Sequence, residues 1–421
     1  MDRIVIDIER LGRVADSRIE IAPMMIFSGE SGMGKSYLAM LSHYFFDIYI
    51  VFERFTNLFE SLGYVYKDMA KDFVNEGEAF TMSKVELEEW MSTDAIAYLG
   101  YMLNAEGLEG KIRVSLPTSV PDQLTFTYKK ELSGIENEES EDIFIALSGL
   151  RYRATHNAIN DVSPYASLLA VFLMRCVFGD TKALEATFLM PPSRGPVLSE
   201  QVTANSGMYK DFVTDVNDLS NVLLIQKRTS PELMEQLSEI MEGEVKKEEG
   251  RFVYITDGVK MPIAAAAASV REIAPLQLLA RKWDVSKTAL LIEEPEAHLH
   301  PDKQRMMADI IGCLFRTGAF IHLTTHSDYF LRRINELILF RRYVDSHSDE
   351  EIAALSEKTG IKPSFAINGN DVVAYILERQ NDGHSKVVAQ DLRDGVPFSA
   401  FSNAVKESFR VNDLLEEAFE S

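Results

Sequence analysis

The stretch MMIFSGESGMGKS, Met24 to Ser36, decides how the rest of the chain is read. An apolar run, Met24 to Phe27, ends in a glycine-rich loop that fits G-x-x-x-x-G-K-S at Gly29, Gly34, Lys35 and Ser36. The segment that follows, Tyr37 to Phe46, is apolar and free of Gly and Pro, as a helix requires. Strand, loop and helix form the context in which this motif cradles phosphate. Backbone N–H groups of the loop close around oxyanions, and the helix N-terminus adds the positive end of its dipole. On this reading Gly29, Glu30, Ser31, Gly32, Met33, Gly34, Lys35 and Ser36 hold a nucleotide. Lys35 is placed for the β- and γ-phosphates, and the Ser36 hydroxyl for a Mg²⁺ ion.

The chain of 421 residues is long enough for two or three domains and a large buried core. No uninterrupted apolar stretch is long enough to cross a bilayer. The N-terminus carries Asp2, Asp7 and Glu9 and lacks the pattern of a secretory signal. Cys176 and Cys313 are the only cysteines, which argues against a disulfide framework or a cysteine-rich zinc site. A cytoplasmic protein with no membrane partner is expected. The formal charge of −22 makes the surface as a whole a poor generic partner for nucleic acid or acidic lipid. A local basic groove is compatible with that total, so DNA contact is disfavoured rather than excluded.

Ahead of the P-loop strand, Ile4, Ile6 and Ile8 alternate with Val5, Asp7 and Glu9 in a strand pattern, and Ile19 and Ile21 open a second strand. From Asn57 to Glu109 the text reads as helical and acidic, with Trp90, Met and Leu at helical spacing. Lys111 to Leu116 and Gln123 to Tyr128 read as two strands joined across a Pro-containing turn. Glu136 to Asp142 reads as a charged loop or helix start, and Tyr165 to Phe178 as a buried helix. A Pro-rich break follows at Pro191, Pro192 and Pro196. Ser230-Pro231-Glu232 starts a helix with a capping side chain and Pro at its first position. Asp257-Gly258, between two apolar runs, marks a hairpin.

Thr288 to Pro301 reads TALLIEEPEAHLHP. Ala289 to Ile292 make a short buried strand that delivers two adjacent carboxylates at its end. A P-loop site needs one carboxylate near Mg²⁺ and one to orient or deprotonate the attacking water. Glu293 is assigned the first task and Glu294 the second. Glu296, His298 and His300 spell E-x-H-x-H. The Pro295 turn and the lack of a further ligand favour a structural or interface role for them over a metal site. Ala319 to His326 is another apolar strand, ending in Thr325, His326 and Ser327. His326, at a strand end beside a phosphate site, is the candidate for bonding the γ-phosphate. Lys35, Glu294 and His326 are thus the expected catalytic set.

P-loop, E-E-P-E and T-T-H-S, in that order, resemble an ABC-type ATPase head of the SMC, RecF and OLD kind. The resemblance is strongest to OLD-like bacterial AAA-family ATPases, where E-P-E-x-x-L-H-P and T-T-H-S follow the Walker B strand, as Glu294 to Pro301 and Thr324 to Ser327 do here. It covers residues 1 to 50 and 250 to 335, and is slight after Val344. It implies an α/β fold, a mixed sheet around a P-loop helix, with a helical insertion and a small C-terminal extension. The expected division has the ATPase core in two parts, 1–55 with the P-loop and 184–345 with signature, Walker B and His switch. A mainly helical insertion with a short strand pair, 56–183, separates them. The extension, 346–421, is a candidate partner-binding region.

The resemblance also implies that two copies sandwich two ATP molecules, each between one P-loop and the other copy's signature segment. Here that segment is Ala267 to Pro275, AASVREIAP, where the family commonly has S-S-G-V-R. Ala268 and Ser269 stand at the contacting positions, with the hydroxyl displaced by one residue and the Gly absent. Glu293 stands where an Asp is usual. Slow hydrolysis of ATP is the expectation. Gln123 is the candidate for the glutamine of the lobe-joining loop. The tail from Tyr343 is short for the nuclease domain of OLD proteins, and Asp391 and Asp394 are spaced D-x-x-D rather than D-x-D. Stand-alone heads of this type resemble the ATPase halves of two-gene anti-phage systems such as PARIS. The preferred expectation is therefore a homo-oligomeric ATP-dependent switch that controls a separate effector protein such as a nuclease.

Two rivals stand beside it. One is a RecF-like DNA-binding clamp, with Arg332, Arg333, Arg341 and Arg342 as its groove. The other is a nucleotide-bound scaffold with little hydrolysis. A transporter ATPase is disfavoured by the long insertion between Ser36 and Ala267.

Overall fold

A computed structural model describes residues 2–63, 77–135, 138–154, 163–179, 184–199, 206–221, 230–392, 396 and 408–414. Three strands, β1 (Val5–Leu11), β2 (Val14–Glu20) and β3 (Met24–Gly29), lead into helix α1 (Lys35–Asp47) and then α2 (Glu53–Ser61). The region that follows contains β4 (Gly77–Ser83), α3 (Lys84–Leu103), β5 (Gly110–Ser115), β6 (Gln123–Ile135), β7 (Glu138–Leu147), β8 (Leu150–Ala154) and α4 (Pro164–Phe178). Next come β9 (Ala186–Met190), α5 (Gly195–Ser199), α6 (Gly207–Asn221) and α7 (Pro231–Met241). The meander β10 (Glu244–Glu248), β11 (Arg251–Thr256) and β12 (Val259–Pro262) precedes α8 (Ala268–Lys282). The chain continues through β13 (Thr288–Glu293), α9 (Pro301–Thr317), β14 (Phe320–Thr324), α10 (Asp328–Val344), α11 (Asp349–Thr359), β15 (Val372–Arg379) and β16 (Ser385–Ala389).

The main sheet has the order β5-β1-β2-β16-β15-β3-β14-β13-β9. Its block β9, β13, β14, β3 and β15 is parallel throughout. Parallel strands of this kind are covered on both faces, and their sequences read as continuous apolar runs. β3 shows why. Met25 and Phe27 point into a core shared with α1, α3 and α4, while Met24 and Ile26 point into a second core shared with α8, α9 and α10. The same alternation sends Ala289 and Leu291 of β13 to one face and Leu290 and Ile292 to the other. α1 packs across β13 and β14. Ser42 on α1 lies 2.7 Å from Nδ1 of His322, a β14 residue whose burial pushes its pKa down to about 3. That histidine is a neutral structural contact between helix and sheet.

The region between α2 and β9 holds more sheet than its sequence suggests. β4, β6, β7 and β8 make a separate antiparallel sheet, closed by the rings of Phe59, Phe80, Phe126 and Tyr165. The expected pairing of the strands at 111–116 and 123–128 does not form. β5 pairs with β1 in the main sheet, whereas β6 pairs with β4 and β7. Gln123 opens β6 opposite Ser83, in this second sheet rather than beside the nucleotide strands. The charged stretch expected as a loop or helix start, from Glu138 onward, is the first part of β7, while residues 136–137 lie outside the described residues. The Asp257-Gly258 hairpin forms as β11 and β12, with Asp257 at φ 47° and Gly258 at φ 75°. The helix at 231–241 starts at Pro231 as expected, but the capping side chain expected with it is not found: Ser230 stands at the cap position and makes no side-chain cap hydrogen bond.

The main sheet also runs past the boundary expected at 345. β15 pairs with β3 along Val372↔Met24 to Leu377↔Gly29, and β16 joins it to β2. This hairpin touches the P-loop itself. Gly29 sits at φ 124°, and a Cβ there would lie 2.8 Å from the Leu377 carbonyl oxygen, so only glycine fits beside β15. Removing β15 and β16 would detach β1, β2 and β5 from β3. A chain ending at Val344 is therefore expected to lack a cooperative thermal transition and to aggregate. A soluble truncated chain that melts cooperatively would place the hairpin outside the core.

Candidate nucleotide site

The loop between β3 and α1 turns on glycines in the left-handed region, Gly29 at φ 124°, Gly32 at φ 73° and Gly34 at φ 101°. A Cβ on Gly34 would stand 2.8 Å from Val14 Cγ2, so the loop is pressed onto β2 as well as β15. α1 starts at Lys35 with no side-chain cap. Its first N–H groups are left to the loop and to whatever anion the loop holds.

Lys35 folds back over the loop mouth. Its Nζ donates to the carbonyls of Gly29, at 2.9 Å, and Glu30, at 2.7 Å, and lies 3.4 Å from Nδ1 of His326. Burial pulls its pKa down to about 8, against the opposing pull of Glu294, Glu293, Glu296 and Glu30. The Ser36 hydroxyl donates to Oε2 of Glu293. Glu293 is buried at the end of β13, and burial raises its carboxyl pKa to about 7 even though the Ser36 bond lowers it. Its second oxygen, Oε1, is buried with no hydrogen-bond partner. An orphaned carboxylate oxygen beside a serine hydroxyl fits a divalent cation. Among the described residues no group of three His, Cys, Asp or Glu side chains is placed to hold a metal. Such a cation would therefore complete its shell from water and phosphate oxygens.

The next residue, Glu294, takes φ 47°, rare for a residue with a side chain. Its N–H is held 3.1 Å from the Thr324 carbonyl and 3.3 Å from the Thr324 hydroxyl, both at the end of the adjacent strand. The turn lifts its carboxylate out of the sheet, to 3.4 Å from Nε2 of His326. Burial, and then the charge on Lys35, push the His326 pKa below its usual value, which favours the neutral imidazole. In the tautomer protonated at Nε2, Lys35 donates to Nδ1 and the ring N–H faces Glu294.

Glu296 supports this group from below. Its buried Oε1 accepts from the Thr325 hydroxyl at 2.7 Å and from the His326 N–H at 2.8 Å. The histidines of the E-x-H-x-H run do not join it. His300 is the cap residue of α9, its Nδ1 accepting from the Asp302 N–H at 3.4 Å, and His298 takes φ 61° in the turn before it. Lys35, Ser36, Glu293, Glu294 and His326 are thus drawn together by one loop and two strand ends. Ala268 and Ser269 are not. They form the first turn of α8, and among the described residues no hydrogen bond or ion pair joins them to the P-loop of the same chain.

Residues 196–331 match the family described as AAA ATPase domain. The matched stretch holds α8, Glu293, Glu294 and His326 and leaves out the P-loop. Among solved structures, the SmcHead bound to the C-winged helix domain of ScpA aligns over 93% of this chain and 98% of its own, at 12% identity and a TM-score of 0.39. The SMC head domain from Thermotoga maritima aligns over 93% of this chain and 100% of its own, at 10% identity and a TM-score of 0.35. The Pyrococcus furiosus Smc head domain with an extended coiled coil, bound to the C-terminal domain of ScpA, aligns over 97% and 100%, at 10% identity and a TM-score of 0.40. No curated protein matches the chain. The chain's own topology carries the assignment of fold. A mixed sheet with a P-loop after β3, a histidine just past the end of its parallel neighbour β14 and paired glutamates at the end of β13, the next strand beyond, is the α/β fold of an ABC-type P-loop head.

Three further features bear on this fold. Arg333, one of four arginines considered for a nucleic-acid groove, is buried. It binds Asp309 at 2.7 and 3.0 Å and Glu336 at 2.9 Å. Arg341 pairs with Asp345 at 2.7 Å. Arg194 and Glu272 escaped the sequence reading, yet Arg194 reaches the backbone of Glu293. The signal available was an arginine isolated in the Pro-rich break P-P-S-R-G. Among the described residues no helix is long and apolar enough to cross a membrane.

Glu296 generates the test of this arrangement. Glu296→Ala would leave the fully buried Thr325 hydroxyl and the His326 N–H without their acceptor. A loss of about 2 kcal/mol in unfolding free energy is expected by denaturant titration. Glu296→Gln, which keeps one carbonyl oxygen, should recover most of it. An unchanged midpoint for the alanine variant would show that the histidine turn is held by other contacts.

Proposed function

We propose that this chain binds ATP with Mg²⁺ and hydrolyses it slowly, and that the bound nucleotide switches its assembly with a second copy. The observation that carries the reading is the convergence of Lys35, Ser36, Glu293, Glu294 and His326 at one end of three neighbouring parallel strands. Lys35 is the cation within reach of the β- and γ-phosphates. The loop amides from Gly29 to Ser36 surround the phosphates. Ser36 and Glu293 would hold Mg²⁺, which neutralises phosphate charge when bound.

Glu294 serves as the base. Its carboxylate stands clear of the sheet and takes a proton from the water that attacks the γ-phosphorus. The water oxygen forms the new P–O bond as the bond to the β-phosphate oxygen breaks. His326, held neutral by burial, offers its Nε2 proton to a γ-phosphate oxygen or to the Glu294 carboxylate. Across the assembly, Ala268 and Ser269 of the second copy would contribute backbone N–H groups and one hydroxyl. The displaced hydroxyl supports slow turnover, since a missing donor at a preorganised phosphate site costs roughly 10²–10³ in rate. Control of a separate effector protein in anti-phage defence rests on the resemblance of the E-E-P-E and T-T-H-S motifs to OLD-like ATPases.

Lys35→Ala should lower ATP affinity by on the order of 10²-fold or more, because the charged donor at the phosphates is lost. Titration calorimetry or a fluorescent ATP analogue reads this directly, and unchanged affinity would refute the phosphate assignment. Glu294→Gln should keep ATP binding and slow phosphate release by roughly 10²–10⁴-fold. It should also accumulate an ATP-dependent oligomer in light scattering. Normal turnover in Glu294→Gln with loss in Glu293→Gln would exchange the two roles.

A further inference from the structure

The lobe that carries Ala268 and Ser269 leaves the main sheet after Met190, at the end of β9, and returns to it at Thr288, the start of β13. Arg194 stands at the exit, 2% exposed. Its Nη1 donates to the Glu293 carbonyl at 2.9 Å and to the Pro191 carbonyl at 3.2 Å. Its Nε donates to the Glu272 carbonyl at 2.8 Å, and its backbone N–H to Glu272 Oε2 at 3.1 Å. The other Glu272 oxygen accepts the Gly195 N–H at 3.1 Å. One guanidinium therefore ties the strand end that bears Glu293 to the helix that bears Ala268 and Ser269.

A buried ion pair is a poor device for stability alone, because desolvation offsets most of its attraction. Burial lowers even the arginine's own pKa. The pair is better suited to fixing a geometry. Two details indicate which part of α8 it fixes. Pro275 lies inside the helix three residues beyond Glu272 and removes one of its internal hydrogen bonds, so the ladder that joins the first turns to the rest is one bond short. The exit loop is also pressed onto those turns. A Cβ on Gly195 would lie 3.0 Å from both Arg271 Cβ and Glu272 Oε1.

We propose that Arg194 is a positioning residue that transmits the placement of the Glu293 strand end to the first turns of α8, with Glu272 as its receiver. Mg²⁺–nucleotide held at the P-loop, on which Ser36 and Glu293 would bear, thereby sets the presentation of Ala268 and Ser269 to the second copy. The inference rests on the reading of an ATP-dependent assembly given above.

The test is amide hydrogen exchange of the full chain with and without Mg²⁺–ATP, followed in peptides covering 29–36 and 268–279. Parent, Arg194→Lys and Glu272→Gln are compared, together with ATP affinity and with assembly in the Glu294→Gln background. The parent should gain protection in both segments. Both variants should bind ATP with unchanged affinity and protect 29–36, but lose the protection of 268–279. Their ATP-dependent assembly should weaken roughly tenfold or more. Lysine keeps the charge and loses the forked geometry, so it is not expected to substitute. If Arg194→Lys does not fold, Glu272→Gln decides alone. Variants that protect 268–279 and assemble like the parent overturn the proposal. So do variants that lose ATP affinity in step with assembly, because the pair would then act on the nucleotide pocket itself. A parent that protects 29–36 but not 268–279 overturns the coupling and leaves ATP binding standing. A parent protected in neither segment overturns both.

Discussion

Three parallel strands end level with one another. Register pairs Glu293 of β13 with Thr324 of β14, and Thr324 with Phe27 of β3. Parallel ladders propagate one direction, so whatever follows each strand emerges at the same edge of the sheet. After β3 comes the glycine loop with Lys35 and Ser36. After β13 comes the turn with Glu294 and Glu296. After β14 come Thr325 and His326. The short contacts among these residues follow from that common edge. A slip of one residue in the β13–β14 register would send Glu293 to the opposite face of the sheet, away from Ser36. The two cores that bury alternate residues of β3 and β13 hold the register fixed.

That edge is electrostatically costly to assemble. Lys35, Glu293, Glu296 and Arg194 are all buried, and burial drives each one's titration toward its neutral form. Each is retained by a specific partner: loop carbonyls for Lys35, Ser36 for Glu293, the Thr325 hydroxyl for Glu296 and Glu272 for Arg194. Opposite charges so placed lose less by desolvation than isolated ones, but they do not recover it in full. Glu293 and Glu296 each keep one oxygen unpaired. Preorganised sites carry this kind of local deficit because the groups must face the substrate rather than one another. The surrounding apolar packing across both faces of the sheet supplies the stability that the site does not.

Much of this edge could be read from the sequence because its parts are local. Met24 to Phe27 and Ala289 to Ile292 are apolar runs short enough for buried strands, and each ends in residues whose chemistry is legible without a partner. The hairpin at Asp257-Gly258 is equally local. What sequence reading missed is pairing at a distance. The strand at 111–116 has a half-buried pattern that fits either neighbour, and its partner, β1, lies about a hundred residues away, a separation that pattern alone does not reveal. β15 has a clear strand pattern in Val372 to Arg379, but nothing in it says that it sits against the P-loop strand. The acidic start of β7 hides a strand behind side chains that favour solvent. Arg194 was hidden for the same reason as β15: its role lies wholly in Glu272 and the Glu293 backbone, 78 and 99 residues away.

The first turn of α8 joins these threads. Its cap position is Ala267, which has no side chain to satisfy the opening N–H groups of the helix. Serine or threonine at that position would bond them internally and hold the turn closed on itself. Alanine leaves them as donors, in a turn that Pro275 leaves one ladder bond short of the helix behind it and that Arg194 ties to the strand of Glu293. In the proposed assembly this turn meets the γ-phosphate of the other copy mainly through backbone N–H groups, with Ser269 adding one hydroxyl. Ala268 brings no hydroxyl, so in that assembly the turn offers one preorganised donor fewer to the charge that develops at the γ-phosphate, which slows the proposed hydrolysis while the backbone donors still hold the bound nucleotide.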